Sequence, residues 1–299
     1  MVADQRSAGG VTAAVTVSLI WGLSFVAASV VLTTLSPVVL ATLRFTIAST
    51  LFLPVILLEL NRGSRPSMSD LRETAYLGFL SISMYFWLQY TGVKYAGAGI
   101  SALLVVGFIP ILTGIASSFM LGEALSRCKV VGSASGFLGA ALITVPKLTN
   151  VQVNTGFLFG VLCLLGNAMC WSLYSTMSRR LMQRTGNPLL MTAYVTLSGT
   201  LVLLPLSLAS DWSAVRLLTQ SQWLSVLYLA IVCSGGGYLL WNYALSRLES
   251  VRAAIWLYLE PVAAFIGEAL LLGIMPDALT AGGGLFIMVG VLLTSAAKK

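Results

Sequence analysis

The sequence predicts an all-helical membrane protein, with ten transmembrane helices arranged as two inverted five-helix repeats. Three observations carry that prediction. Of 299 residues, 58% are apolar and only 9% charged, whereas soluble globular proteins carry about 25% charged residues. Lys and Arg alternate between successive loops. Prolines and glycines recur at one offset of 151 residues.

A helix crossing the hydrocarbon needs about 20 predominantly apolar residues. The chain divides on that basis into spans at 11–33, 37–60, 70–92, 97–119, 129–146, 155–179, 187–209, 219–246, 251–272 and 279–297. The first follows a short polar stretch, Met1 to Gly10, and is too long for a signal-peptide core. The longest gaps, Asn61 to Ser69 and Lys147 to Asn154, leave no room for a soluble domain. Of the 17 Lys and Arg, thirteen lie on one set of ends and loops: Arg6, Arg62, Arg65, Arg72, Arg127, Lys129, Arg179, Arg180, Arg184, Arg247, Arg252, Lys298 and Lys299. Lys94, Lys147 and Arg216 occupy the opposite loops, and Arg44 lies within a span. Positive loops stay in the cytoplasm, so both termini are expected there, in a cell's inner membrane.

The repeat sets Pro37 against Pro188, Pro54 against Pro205 and Pro110 against Pro261. It also sets Gly122 against Gly273, Gly132 against Gly283 and Gly139 against Gly290. Proline and glycine impose backbone geometry that other residues do not copy. Trp21 and Trp171 correspond one residue out of frame. The expected halves are residues 1–150 and 151–299. Five spans per half is an odd number, so the second half enters the membrane upside down. Inverted repeats of this kind place a substrate site near the midplane and open it to each side in turn.

The run Trp21-Gly22-Leu23-Ser24-Phe25, then Ser36-Pro37 and Leu43-Arg44-Phe45, resembles the opening of EamA-type members of the drug/metabolite transporter superfamily. Pro110, Leu121-Gly122-Glu123, Gly132 and Gly139 continue the likeness, and Leu259-Glu260-Pro261 fits its helix-nine pattern. One departure is Gly273-Ile274, where the family has Gly-Glu. The resemblance implies a ten-helix exporter of small metabolites and, on overall likeness, the YddG-like branch of amino-acid exporters.

Polar and aromatic residues on one helical face are candidate lining of a path. Asn167, Trp171, Tyr174 and Ser178 form such a stripe on the sixth span, and Ser81, Tyr85, Gln89 and Gly92 on the third. Ser234, Tyr238, Trp241 and Asn242 form one on the eighth, and Trp256, Glu260 and Gly267 on the ninth. With Trp21 and Ser24, the expected substrate-binding residues are Tyr85, Gln89, Asn167, Trp171, Tyr174, Tyr238, Asn242, Trp256 and Glu260. The competing explanation for Trp and Tyr is anchoring at the lipid interface, which suits Trp212 and Trp223. Pro110 and Pro261 are expected to kink spans four and nine, and Gly235, Gly236 and Gly237 to give flexibility or close contact. Glycines in spans five and ten read as packing surfaces. Arg44, Glu260 and Glu268 are the intramembrane charges; Arg44 and Glu268 pair in one reading, and Glu260 binds a substrate ammonium or a proton.

Aromatic faces attract ammonium groups, and amides and hydroxyls hold a carboxylate, so amino acids or quaternary ammonium compounds suit the path. The expected partners are such a small-molecule substrate and the lipid bilayer, with no nucleic acid. No cofactor or metal is expected, since His is absent and the cysteines Cys128, Cys163, Cys170 and Cys233 form no CxxC motif. A multidrug exporter of aromatic cations is the alternative within transport. A channel is the alternative outside it, but no ring of like charges or filter-like loop is evident. An enzyme would need paired acids or a metal motif.

Overall fold

The computed structural model describes residues 2–63, 65–96, 98–144, 154–272 and 278–296. Helices account for nearly all of them, and no strand occurs among the described residues. The helices are α1 Val2–Leu32, α2 Pro37–Asn61, α3 Met68–Gly78, α4 Tyr85–Ala96, α5 Ala98–Leu121, α6 Arg127–Thr144, α7 Thr155–Thr185, α8 Pro188–Ser207, α9 Gln220–Leu227, α10 Gly237–Arg247, α11 Ser250–Ala254, α12 Leu259–Leu272 and α13 Ala278–Ala296. Six stretches are long and apolar enough to cross a membrane: Ala8–Leu32, Pro37–Asn61, Leu103–Leu121, Thr155–Thr185, Pro188–Ser207 and Gln220–Arg247. The other expected spans fall on the shorter α6 and α13 and on the interrupted runs α3–α4 and α11–α12. The polar start, expected to precede the first span, is itself helical from Val2.

Local chemistry sets the helix starts. Ser36 accepts from Val39 N ahead of Pro37, and Asn187 accepts from Leu190 N ahead of Pro188. Proline suits the first helical position because its missing N–H has no intrahelical partner there. Ser67 and Asp70 form a capping box at α3; Thr219 and Gln222 form one at α9. Each box satisfies two amide groups that the helix itself leaves open.

Beyond each capping box lies the same departure. A π-helical stretch, Phe79–Met84, joins α3 to α4, and another, Tyr228–Gly236, joins α9 to α10. The sequence pattern predicts ordinary helix for both, so the regular one-face spacing expected for Ser81, Tyr85, Gln89 and Gly92 does not hold through the first. A third interruption precedes Pro261. The chain tightens to a 3-10 turn at Ile255–Tyr258 and α12 restarts at Leu259. Pro261 thus follows a tightened turn, and a residue without an amide proton disturbs the turn before it. Pro110, by contrast, sits inside the continuous α5.

Packing has a reciprocal pattern. α1 lies on α10 and α12, α7 on α4 and α5, α2 on α8, and α6 on α13. Gly132 approaches the backbone of Gly290, and Gly139 that of Gly283. A side chain at any of the four would collide with the facing helix, which is how small residues allow close crossing. Gly282 and Gly284, expected to pack, face open space instead. Three hydrogen bonds join residues 151 apart: Ser49 Oγ with Thr200 Oγ1 (2.8 Å), Ser135 Oγ to Phe286 O (2.8 Å) and Tyr258 Oη to Gly107 O (2.8 Å).

Candidate functional site: an aromatic centre between the helix pairs

Trp21 on α1 and Trp171 on α7 meet edge to face, with ring centroids 5.2 Å apart. Around them stand Tyr238 (6.1 Å from Trp21 and 5.6 Å from Trp171), Tyr174 and Tyr85 (each 5.2 Å from Trp171) and Trp241 (5.8 Å from Trp21). Edge-to-face pairs each contribute about 0.5–1.5 kcal/mol beyond the area they bury. The two indoles that the repeat aligns are therefore the middle of one cluster.

The π-helical stretches position these rings. A ladder that changes register leaves carbonyls available to other donors. Trp21 Nε1 donates to Cys233 O (3.0 Å) in the second stretch, and Tyr238 Oη donates to Ser81 O (2.8 Å) in the first. Asn167 Nδ2 donates to Tyr85 O (2.6 Å), just past the first stretch. Gly237 is required by this arrangement, because a Cβ there would lie 2.6 Å from Trp21 Nε1. Gly235 and Gly236 face only ordinary van der Waals contact. Gly22 is a second close approach: its Cβ would lie 2.5 Å from Glu260 O.

Not every expected residue is equally free. Asn242 is fully buried; its Oδ1 accepts from Tyr174 Oη (3.0 Å) and Ser178 Oγ (2.6 Å), and its Nδ2 donates to Thr192 Oγ1 (2.9 Å). Three of the four hydrogen bonds open to an amide are thus committed. Ser24 bonds back to Trp21 O (2.6 Å) in its own helix. Trp171 Nε1 and Asn167 Oδ1, in contrast, are buried with no hydrogen-bond partner. Gln89 and Trp256 are half-buried on the fringe. Trp212 and Trp223, expected at an interface, are both exposed. The Glu268 side chain and the surroundings of Gly267 lie outside what the structure describes, as does Gly273.

Two intramembrane charges border the rings. Arg44 Nε donates to Ser234 Oγ (2.8 Å), and its guanidinium lies 5.1 Å from the Phe45 ring and 5.2 Å from that of Phe86. Glu260 is 8% exposed. Sequence reasoning omitted Phe45, Phe86, Cys233 and Ser175, which contacts Trp241 Nε1 at 3.2 Å; nothing in the spacing marks them. A separate cavity of about 430 Å³ lies at the helix ends, lined by Arg65, Ser67, Asp70, Arg184 and Asn187. No expected site residue borders it.

The EamA-like transporter family model matches residues 8–145 and again 158–296. The chain belongs to that family. As an EamA-like protein it is a membrane-embedded transporter of the drug/metabolite transporter superfamily and not an enzyme. An "Uncharacterized transporter" of Archaeoglobus fulgidus is 30% identical over 281 residues, 93% of this chain and 94% of that protein. A "Probable amino-acid metabolite efflux pump" of Salmonella typhimurium is 28% identical over 290 residues, 94% of this chain and 92% of that protein. A "Probable terminal-alkyne amino-acid exporter" of Streptantibioticus cattleyicolor is 28% identical over 232 residues, 77% of this chain and 74% of that protein. A solved crystal structure shares the EamA-like chain's fold with a TM-score of 0.79 at 23% identity, covering 97% of this chain and 96% of that one.

Proposed function

We propose that this EamA-like protein is an alternating-access carrier that exports small amphipathic metabolites, amino acids foremost, across the inner membrane. Its path runs between two inverted five-helix halves, with ten crossings and both termini cytoplasmic. The observation that carries the reading is the reciprocity of the contacts. Gly132 meets Gly290 while Gly139 meets Gly283, and the repeat register pairs 132 with 283 and 139 with 290. Such exchanged partners are what a twofold relation between halves requires. The capping box followed by a π-helical stretch, found once in each half, and the two separate family matches support the same duplication.

The aromatic centre is the substrate site in this reading. Trp21 comes from the first half and Trp171, Tyr174 and Tyr238 from the second, so rocking of one half against the other parts the rings. The unpartnered Trp171 Nε1 and Asn167 Oδ1 are polar groups a solute can satisfy. The two relatives whose names refer to amino-acid export support amino acids over other metabolites. Counterflow in proteoliposomes, competed with threonine, methionine, phenylalanine and methyl viologen, tests this. Competition by the amino acids supports the reading; competition by methyl viologen alone replaces it with cation export. Conductance in a planar bilayer without saturable counterflow replaces it with a channel.

A further inference from the structure

Arg44 and Glu260 are each 8% exposed, and burying an ion without a partner costs several kcal/mol. The usual remedy is an ion pair, and the described residues form none with either group. Among the described residues no carboxylate comes within 4.0 Å of the Arg44 guanidinium, whose one hydrogen bond uses Nε. Among the described residues, no side chain or carbonyl takes the two terminal nitrogens. Phe45 and Phe86 flank the group and hold its plane. Glu260 has no hydrogen-bond or ion-pair partner among the described residues, and its backbone is fixed against Gly22. Arg44 is bonded to Ser234, next to the Cys233 carbonyl that accepts from Trp21 Nε1, and the Glu260 carbonyl packs against Gly22, next to Trp21, so both residues border the aromatic centre.

We propose that Arg44 and Glu260 are the two poles of a zwitterion site, the guanidinium taking a solute carboxylate and Glu260 taking the ammonium of the same molecule. The proposal rests on the carrier reading and narrows its substrate class. A planar guanidinium whose terminal Nη1/Nη2 edge is open suits a carboxylate bidentately. The rings of Tyr85 and Trp171 receive the apolar body. A solute with only one of the two charges leaves the opposite pole unpaired, which selects against amines and acids alike.

The test uses the full chain in proteoliposomes, with counterflow of labelled L-phenylalanine. Competitors are unlabelled phenylalanine, its methyl ester, which keeps only the ammonium, and its N-acetyl derivative, which keeps only the carboxylate. Each analogue is expected to compete at least about tenfold more weakly, the size of one lost charge-assisted contact. In Arg44→Gln the ester is expected to approach phenylalanine while the N-acetyl form stays excluded. Glu260→Gln is expected to give the converse, and Arg44→Lys to restore part of the discrimination against the ester. Because the analogue series on the unaltered protein needs no variant to fold, it decides by itself. Counterflow of phenylalanine with both analogues within about twofold of it overturns the two-pole site and leaves the carrier reading standing. Absence of counterflow for phenylalanine, methionine and threonine alike overturns both.

Discussion

At one end of the helical stack the capping box Ser67–Asp70 opens α3, and Arg184, near the end of α7, pairs with Asp70 and lies 2.8 Å from Glu73. At the other end the capping box Thr219–Gln222 opens α9, and Gln222 Nε2 donates to Thr34 Oγ1 (2.7 Å), Thr33 Oγ1 (3.2 Å) and Val30 O (3.2 Å). Arg184 is the repeat counterpart of Thr33, and Asp70 falls within one residue of the counterpart of Gln222. The same scaffold contact is an ion pair at one end and a neutral amide at the other. A deeper cluster widens the difference. Glu123 lies 2.7 Å from Arg179 Nε and accepts the backbone N–H of Ser250 at 3.0 and 3.1 Å. Lys129 Nζ lies 2.8 Å from Glu249 Oε2. The counterpart of Glu123 is Ile274, outside the described residues. Duplication supplies equal backbones, and side-chain chemistry makes one end the stronger tie.

Removing Glu123 is the most damaging way to test that contrast. Glu123→Ala takes the carboxylate from Arg179 Nε and from the Ser250 N–H in a buried setting, and a broken buried pair costs about 3–5 kcal/mol. A large fall in melting temperature in detergent is expected; an unchanged one would remove the ion-paired end from the comparison. At the neutral end, Gln222→Ala gives up three neutral hydrogen bonds to α1 and its following loop, with an expected loss of about 1 kcal/mol. If that variant destabilises as much as Glu123→Ala, the two ends are equivalent after all. Arg184→Gln should cost less, about 0–1 kcal/mol, because the side chain is 45% exposed and solvent screens the pair. The effect should shrink further in high salt, which melting in low and high salt reads directly.

Acid gives the mildest test. The hydrogen bond from Ser67, reinforced by Arg184, holds Asp70 below its ordinary value against the opposing pull of burial. At Glu249 burial works upward, but Lys129, Arg252 and Arg179 outweigh it and the group is again lowered. A carboxyl lowered by folding adds stability above its unfolded value, about pH 4, and loses that contribution as pH falls through the folded value. Asp70→Asn should therefore show a flatter decline in melting temperature from about pH 5 to 3 than the parent. Parallel profiles would sever Asp70 from the acid response.

The alternation of basic loops and the 151-residue offset read most of the helix positions, because hydropathy and backbone-restricted residues are local signals. Trp21 and Trp171 were legible as partners for the same reason. The π-helical stretches were not. A change of hydrogen-bond register alters no residue type, and Phe79–Met84 reads as ordinary apolar sequence. The nearly matched capping boxes, Ser67–Asp70 and Thr219–Gln222, carried a usable hint that the two helices share a design. Glu123 with Ser250 and Arg44 with Ser234 join positions 127 and 190 residues apart, and no periodicity links such partners.

The bond between Ser49 and Thr200 joins two residues that are counterparts of each other. Where halves related by a twofold exchange conformations, every contact between non-equivalent residues must be traded for its mirror contact. A contact between counterparts is its own image and survives the exchange unbroken. Ser49 and Thr200 thus mark the fulcrum of the proposed rocking, a point that stays joined while the ends on either side take turns to separate.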